Sequence, residues 1–211
     1  MKKLIIFDMD GTINDSSPGI IYCFRKTCDY YGKSGVTEEI LRTGLSGPFT
    51  DNLKAIVGID DAQVPEAIDY YVRHFAAEGQ SMAELFPGIE PLLNQLKKSG
   101  YKLAIATHMA EEYAIKTLKR ESVFDYFDVI HGASFEIEYS KRDLIEQCLQ
   151  SLDISSEDSV MIGDGIDDHL SAKSLGIEFI AAEYGYEIDT DYCSLNGIQY
   201  ISRPEELLHM L

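Results

Sequence analysis

Leu4-Ile5-Ile6-Phe7-Asp8-Met9-Asp10-Gly11-Thr12 is an apolar run that stops at two carboxylates one residue apart, followed by a glycine turn. A short apolar run bounded by a turn signal predicts a buried strand. Open parallel α/β sheets bind ligands beyond the carboxyl ends of their strands, which places Asp8 and Asp10 where a ligand belongs. Two acids at such a point need a purpose, because burying an unpaired charge is very costly. A metal ion supplies one. A reaction that uses one acid as nucleophile and the other as proton carrier supplies another.

The same grammar recurs twice. Lys102-Leu103-Ala104-Ile105-Ala106 ends in Thr107-His108, and Ser159-Val160-Met161-Ile162 ends in Gly163-Asp164-Gly165-Ile166-Asp167-Asp168. In a parallel sheet these ends share one edge, bringing acids, a hydroxyl and glycine-exposed amides together, with Lys141 of Ser140-Lys141 as a candidate cation. That combination is what magnesium-dependent phosphoryl transfer requires. The acidic loop is not a calcium hand, since His169 stands where the turn glycine and Leu175 where the bidentate glutamate would be. Nor is it a dinucleotide fingerprint, because Asp168 occupies the third glycine position.

Residues 1–14 and 85–211 read as alternating strands and helices, with strands over 3–7, 102–106, 128–132, 159–162, 177–181 and near 198–201. Helices are expected to begin near Ile89, Glu111, Lys141, Asp167 and Pro204. This pattern predicts an α/β fold, a Rossmann-like parallel sheet covered by helices on both faces. Residues 15–84 carry no comparable strand, and helical stretches over 18–31, 37–42, 50–57 and 62–77 predict an all-helical insert after the first strand. An insert at that point is expected to act as a lid, or cap.

The chain has 211 residues, 45% hydrophobic and 26% charged, a composition typical of soluble globular proteins. No apolar stretch approaches membrane-spanning length, so a cytoplasmic protein with no membrane partner is expected. A net charge of −18 repels nucleic acid and requires any phosphate site to supply its own local positive charge. The four cysteines show no zinc-like or disulfide-like spacing and read as reduced structural thiols.

Asp8-Met9-Asp10-Gly11-Thr12, Thr107, Lys141, and Gly163-Asp164 with Asp168, in this order, resemble the four motifs of the haloacid dehalogenase-like superfamily. The extension through Ile13-Asn14-Asp15-Ser16 is similar to the helical-cap branch that includes phosphoglycolate phosphatases, nucleotidases, pyrophosphatases and β-phosphoglucomutases. Gly44-Leu45-Ser46-Gly47-Pro48-Phe49 and Tyr184-Gly185-Tyr186 resemble segments of its phosphoglycolate phosphatase-like members.

The resemblance implies a Mg²⁺-dependent phosphatase acting on a small phosphorylated metabolite through an aspartyl-phosphate. It implies Asp8 as nucleophile and Asp10 as general acid and base, with Asp8, Asp10, Asp164 and Asp168 around the ion. Asp10 would contribute through its main-chain carbonyl, and Asp167 competes with Asp168. The superfamily's dehalogenases lack the second acid, so Asp10 argues against halide chemistry. Thr107, His108 and Lys141 would contact the phosphate, with the role of His108 and the competition between Lys141 and Arg142 left open. Thr12 would stabilise the turn. Arg42, Ser46, Gly47, Phe49 and Lys54 are the candidate substrate contacts of the insert. A phosphosugar mutase and a non-catalytic phosphate-binding module are the competing readings, and a monomer is the expected state.

Overall fold

A computed structural model of the chain describes residues 2–134, 137 and 139–211. The backbone divides into two compact units, Met1–Asp15 with Leu85–Leu211, and Ser16–Glu84. The strands are β1 (Leu4–Phe7), β2 (Asn14–Asp15), β3 (Glu84–Leu85), β4 (Lys102–Ala110), β5 (Val129–Ala133), β6 (Ser159–Gly163), β7 (Glu178–Ala182) and β8 (Gln199–Ile201). β2 and β3 lie where the chain leaves and re-enters the first unit.

The first unit is built on a six-stranded parallel sheet in the order β5-β4-β1-β6-β7-β8. The chain runs outward from β1 through β4 to β5, then returns to the other side of β1 and runs outward through β6 to β8. The order therefore reverses at β1, and such a switch point opens a crevice at the carboxyl ends. Phe7 is level with Ile105 of β4 and Ile162 of β6, so the residues after all three strands emerge on one edge.

Side chains alternate across a strand. Ile5 and Phe7 thus join one core with Leu92, Leu93 and Leu96, while Leu4 and Ile6 join the opposite core with Leu144, Ile145 and Cys148. The first core is covered by α5 (Ile89–Lys98) and α6 (Glu111–Arg120), and the second by α7 (Lys141–Leu152) and α8 (Ile166–Ser174). β1 is buried on both faces, which is why its sequence is continuously apolar rather than alternating.

The structure refines these expectations in three places. β4 continues beyond Ala106 to Ala110, through a register irregularity between Thr107 and Ala110. The helix expected near Pro204 is present as a 3-10 helix, Pro204–His209. A further helix, α9 (Thr190–Asn196), had no expectation, since Cys193 is its one buried side chain. Its ends carry local signals nonetheless: Asp189 caps the start through the Tyr192 amide and Gly197 closes it in the left-handed region.

The second unit contains α1 (Ser17–Tyr30), α2 (Glu38–Arg42), α3 (Phe49–Val57) and α4 (Val64–Ala77). Phe24, Leu41, Leu53, Ile56 and Tyr71 form its core. All four cysteines are free and buried, two in each unit. Among the described residues no helix is long and apolar enough to cross a membrane.

Candidate active site

Asp8 follows β1 directly, and its amide still donates to the Ile162 carbonyl at 2.9 Å. The sheet thereby fixes its backbone between the ends of β4 and β6. Lys141 is the first residue of α7. Ser140 caps that helix through the Asp143 amide at 3.2 Å, and Asp143 returns a bond to the Ser140 amide at 2.9 Å. This capping box sets the start of the helix. Lys141 then turns inward, 2% exposed, while Arg142 stands at the surface.

The Lys141 Nζ donates to Asp8 Oδ1 at 2.6 Å and to the Ala106 carbonyl at 3.0 Å, and pairs with Asp168 Oδ1 at 2.9 Å. Asp164, after β6, has both carboxylate oxygens fixed. The Thr12 hydroxyl donates to Oδ1 at 2.8 Å and the Tyr186 amide donates to Oδ2 at 2.9 Å. Gly11 lets the turn pack this close to Asp164: it sits at φ +83°, and a Cβ there would lie 2.1 Å from Asp164 Oδ2. Asp168 accepts from the Gly165 amide at 3.0 Å at the start of α8, whereas Asp167, one residue earlier, faces solvent.

Asp8, Asp164 and Asp168 each offer a carboxylate oxygen, and these lie within 4.8 Å of one another. Burial pushes the Asp164 carboxyl well above its ordinary value, and the charges of Asp8 and Asp168 add to the effect. Burial likewise pushes Asp168 up to about 7, against the opposing pull of Lys141. Burial alone would lower Lys141, but Asp168 and Asp8 outweigh it and hold the ammonium charged. Three carboxylates facing one ammonium leave an excess of two negative charges when all are ionised. A hard divalent cation with oxygen ligands suits that donor set and charge. The residues present therefore fit a magnesium ion.

The other candidates fall as follows. The Asp10 carboxylate accepts from Asn14 Nδ2 at 3.4 Å and is not one of the three clustered groups. Thr107 is buried, and its oxygen accepts the Met109 amide at 3.0 Å, holding the irregular end of β4. His108 Nε2 lies 3.0 Å from Asp167 Oδ2, a hydrogen bond that holds the Asp167 carboxyl below its usual range. In the second unit Arg42 pairs with Glu38, Ser46 offers its carbonyl to Asn52, and Lys54 pairs with Asp51 and Asp61. Gly47 sits at φ +77°, where a Cβ would meet no other described residue beyond its chain neighbours within 4 Å, and Phe49 packs on Tyr71 with ring centroids 4.7 Å apart. Phe49 is thus part of that unit's own aromatic packing.

Sequence reasoning missed the two groups that hold Asp164. The sequence marks Thr12 as a turn residue and gives Tyr186 no role, since 152 and 22 residues separate them from Asp164. The glycine of Tyr184-Gly185-Tyr186 was the available signal. A Cβ at Gly185 would fall 2.3 Å from Asp164 Cβ and 2.4 Å from the Gly11 carbonyl.

The chain is similar to several known proteins. The model of the haloacid dehalogenase-like hydrolase family matches residues 5–182. The tyrosine-protein kinase PtkA of Mycobacterium tuberculosis is 36% identical over 185 residues, and the match spans 87% of this chain but only 63% of that protein's length. The pyrophosphatase PpaX of Halalkalibacterium halodurans is 31% identical over 204 residues, 94% of this chain and 91% of its own. The solved structure of a haloacid dehalogenase-like family hydrolase from Streptococcus pneumoniae is similar with a TM-score of 0.90 at 31% identity, covering 99% of this chain and 98% of that one. With a match running from β1 through β7, over the strands whose ends carry the carboxylate pocket, the chain belongs to the haloacid dehalogenase-like hydrolase family.

Proposed function

We propose that the protein is a Mg²⁺-dependent phosphatase that hydrolyses a small phosphate monoester through an aspartyl-phosphate on Asp8. The observation that carries this reading is the buried bridge from Lys141 to Asp8 and Asp168 beside Asp164. A carboxylate approaching a phosphate dianion meets repulsion of about 4 kcal/mol per unit-charge pair at 4 Å, at an effective dielectric constant of about 20. Lys141 offsets part of it and fixes the orientation of Asp8. Asp8, Asp164, Asp168 and the main-chain carbonyl of Asp10 are the groups that would hold magnesium, which when bound offsets the remaining negative charge.

In the first step an Asp8 oxygen bonds to phosphorus and the ester P–O bond breaks. Asp10 gives its proton to the leaving alkoxide. In the second step Asp10 takes a proton from water, the water oxygen bonds to phosphorus, and the bond to Asp8 breaks to release inorganic phosphate. Thr107 uses its oxygen to accept the Met109 amide, which leaves the hydroxyl proton to donate to a phosphate oxygen. The Ser16–Glu84 unit is proposed to select the substrate, and the protein to act as a cytoplasmic monomer.

The test is phosphate release from a generic aryl phosphate. Turnover is expected with Mg²⁺, to be lost in chelator, and to be abolished by Asp8→Asn. Metal-independent turnover, or full activity in that variant, overturns the reading. The similarity to a protein named as a tyrosine-protein kinase favours a second reading, in which a tyrosine hydroxyl replaces water as acceptor. Label from γ-labelled nucleoside triphosphate appearing on a tyrosine peptide, rather than as free phosphate, would select it.

A further inference from the structure

The loop after β7 touches the turn after β1, Asp164 and the start of α8. The Tyr186 amide holds Asp164 Oδ2 at 2.9 Å, and the Ile188 amide holds the Asp164 main-chain carbonyl at 2.9 Å. Tyr184 donates its hydroxyl to the Thr12 carbonyl at 2.8 Å, and Glu187 accepts the Ile166 amide at 2.8 Å at the start of α8. Burial pushes the Tyr184 phenol up, so it stays a donor. The loop cannot carry a side chain here, because Gly185 passes against Asp164 and the Gly11 carbonyl with no room for a Cβ.

The far end of the loop is anchored elsewhere. The Tyr186 hydroxyl donates to Asp15 Oδ1 at 2.9 Å, and Asp15 is the last residue of the first unit before the chain departs. Phe86, just after the chain returns, packs on Tyr184 and Tyr186 with ring centroids 5.0 and 6.5 Å away. One residue therefore has its amide on a pocket carboxylate and its hydroxyl on the departing chain.

We propose that Tyr186 is a positioning residue for cation binding: the bond from its hydroxyl to Asp15 anchors the loop whose amide aims Asp164. This rests on the reading of Asp164 as an ion ligand. A carboxylate held at both oxygens keeps its orientation, and groups that orient a ligand tune metal affinity. Releasing the hydroxyl loosens the amide without touching the carboxylate itself.

The test is a Mn²⁺ binding isotherm on the whole chain without substrate, followed by the free-ion resonance signal. Tyr186→Phe is expected to bind Mn²⁺ about 3- to 10-fold more weakly, the worth of one hydrogen bond. Asp15→Ala should match it, the double variant should lose nothing further, and Asp15→Asn, which keeps an acceptor oxygen, should bind as the parent does. A merely structural role would not reproduce that rescue and non-additivity. Parent protein that binds and Tyr186→Phe that binds equally well overturn the inference alone. Parent protein that binds no Mn²⁺ overturns the ion site as well.

Discussion

Replacing Lys141 by methionine keeps most of the side-chain volume and removes the ammonium that pairs with Asp8 and Asp168. Asp8 and Asp168 lose partners at 2.6 and 2.9 Å, and Asp168 is 2% exposed, so water cannot take over. At an effective dielectric constant of about 20, two unit charges 4.8 Å apart repel by about 3–4 kcal/mol. Breaking a buried ion pair by removing one partner costs about 3–5 kcal/mol, which agrees. For a chain of this size about 1 kcal/mol moves the melting temperature by about 2–4 °C, so a fall of about 6–20 °C is expected in excess chelator.

The loss also has a pH signature. A carboxyl whose folded-state pKa is raised stabilises the fold fully below its unfolded value of about 3.9, and loses that contribution as pH rises through the folded value. Asp168 already sits at about 7 with Lys141 pulling it down. Without Lys141 it rises further, and the deficit of Lys141→Met is larger at a pH above about 7 than at one below it. Mg²⁺ at about 100 times its dissociation constant adds about 2.7 kcal/mol and recovers part of the loss. Differential scanning fluorimetry at the two pH values, with chelator and with Mg²⁺, reads all three effects. A variant that melts with the parent at the higher pH in chelator would refute the buried three-acid, one-cation arrangement.

Thr12→Val removes the donor to Asp164 Oδ1 at nearly constant shape, and urea denaturation in Mg²⁺ should show a loss of about 1–3 kcal/mol. Gly185→Ala forces Asp164 or the Gly11 carbonyl to move, and calorimetric titration should show Mg²⁺ affinity falling about 10- to 100-fold. Away from the site, burial alone would raise Asp128, but Lys102, Lys97 and the Leu103 amide more than offset it and hold its carboxyl low. Its contribution is therefore present above about 3.9 and lost as pH falls through the folded value; Asp128→Asn should be less stable than the parent at neutral pH, with the gap closing in acid denaturation.

Much of the fold was legible because burial leaves a local imprint. A strand covered on both faces must be apolar throughout, so Leu4–Phe7, Leu103–Ala106 and Val160–Ile162 announce themselves, and carboxylates directly after such runs stand out. The short α9 left almost no such imprint, since it buries so little. At the site, Asp8, Asp164 and Lys141 were legible from their places at strand ends and a capped helix start.

What one-dimensional pattern left open, packing decided. Lys141 and Arg142 are adjacent cations, and only the entry angle of α7 sends one to Asp8 and the other to water. Asp167 and Asp168 are likewise neighbours, and the turn of α8 buries the second under Gly165 while the first meets His108 at the surface. Thr12 and Tyr186 converge on one carboxylate only because β1, β6 and β7 lie side by side. Periodicity records how deeply a residue is buried, whereas the partner it meets depends on which distant strands the sheet brings alongside.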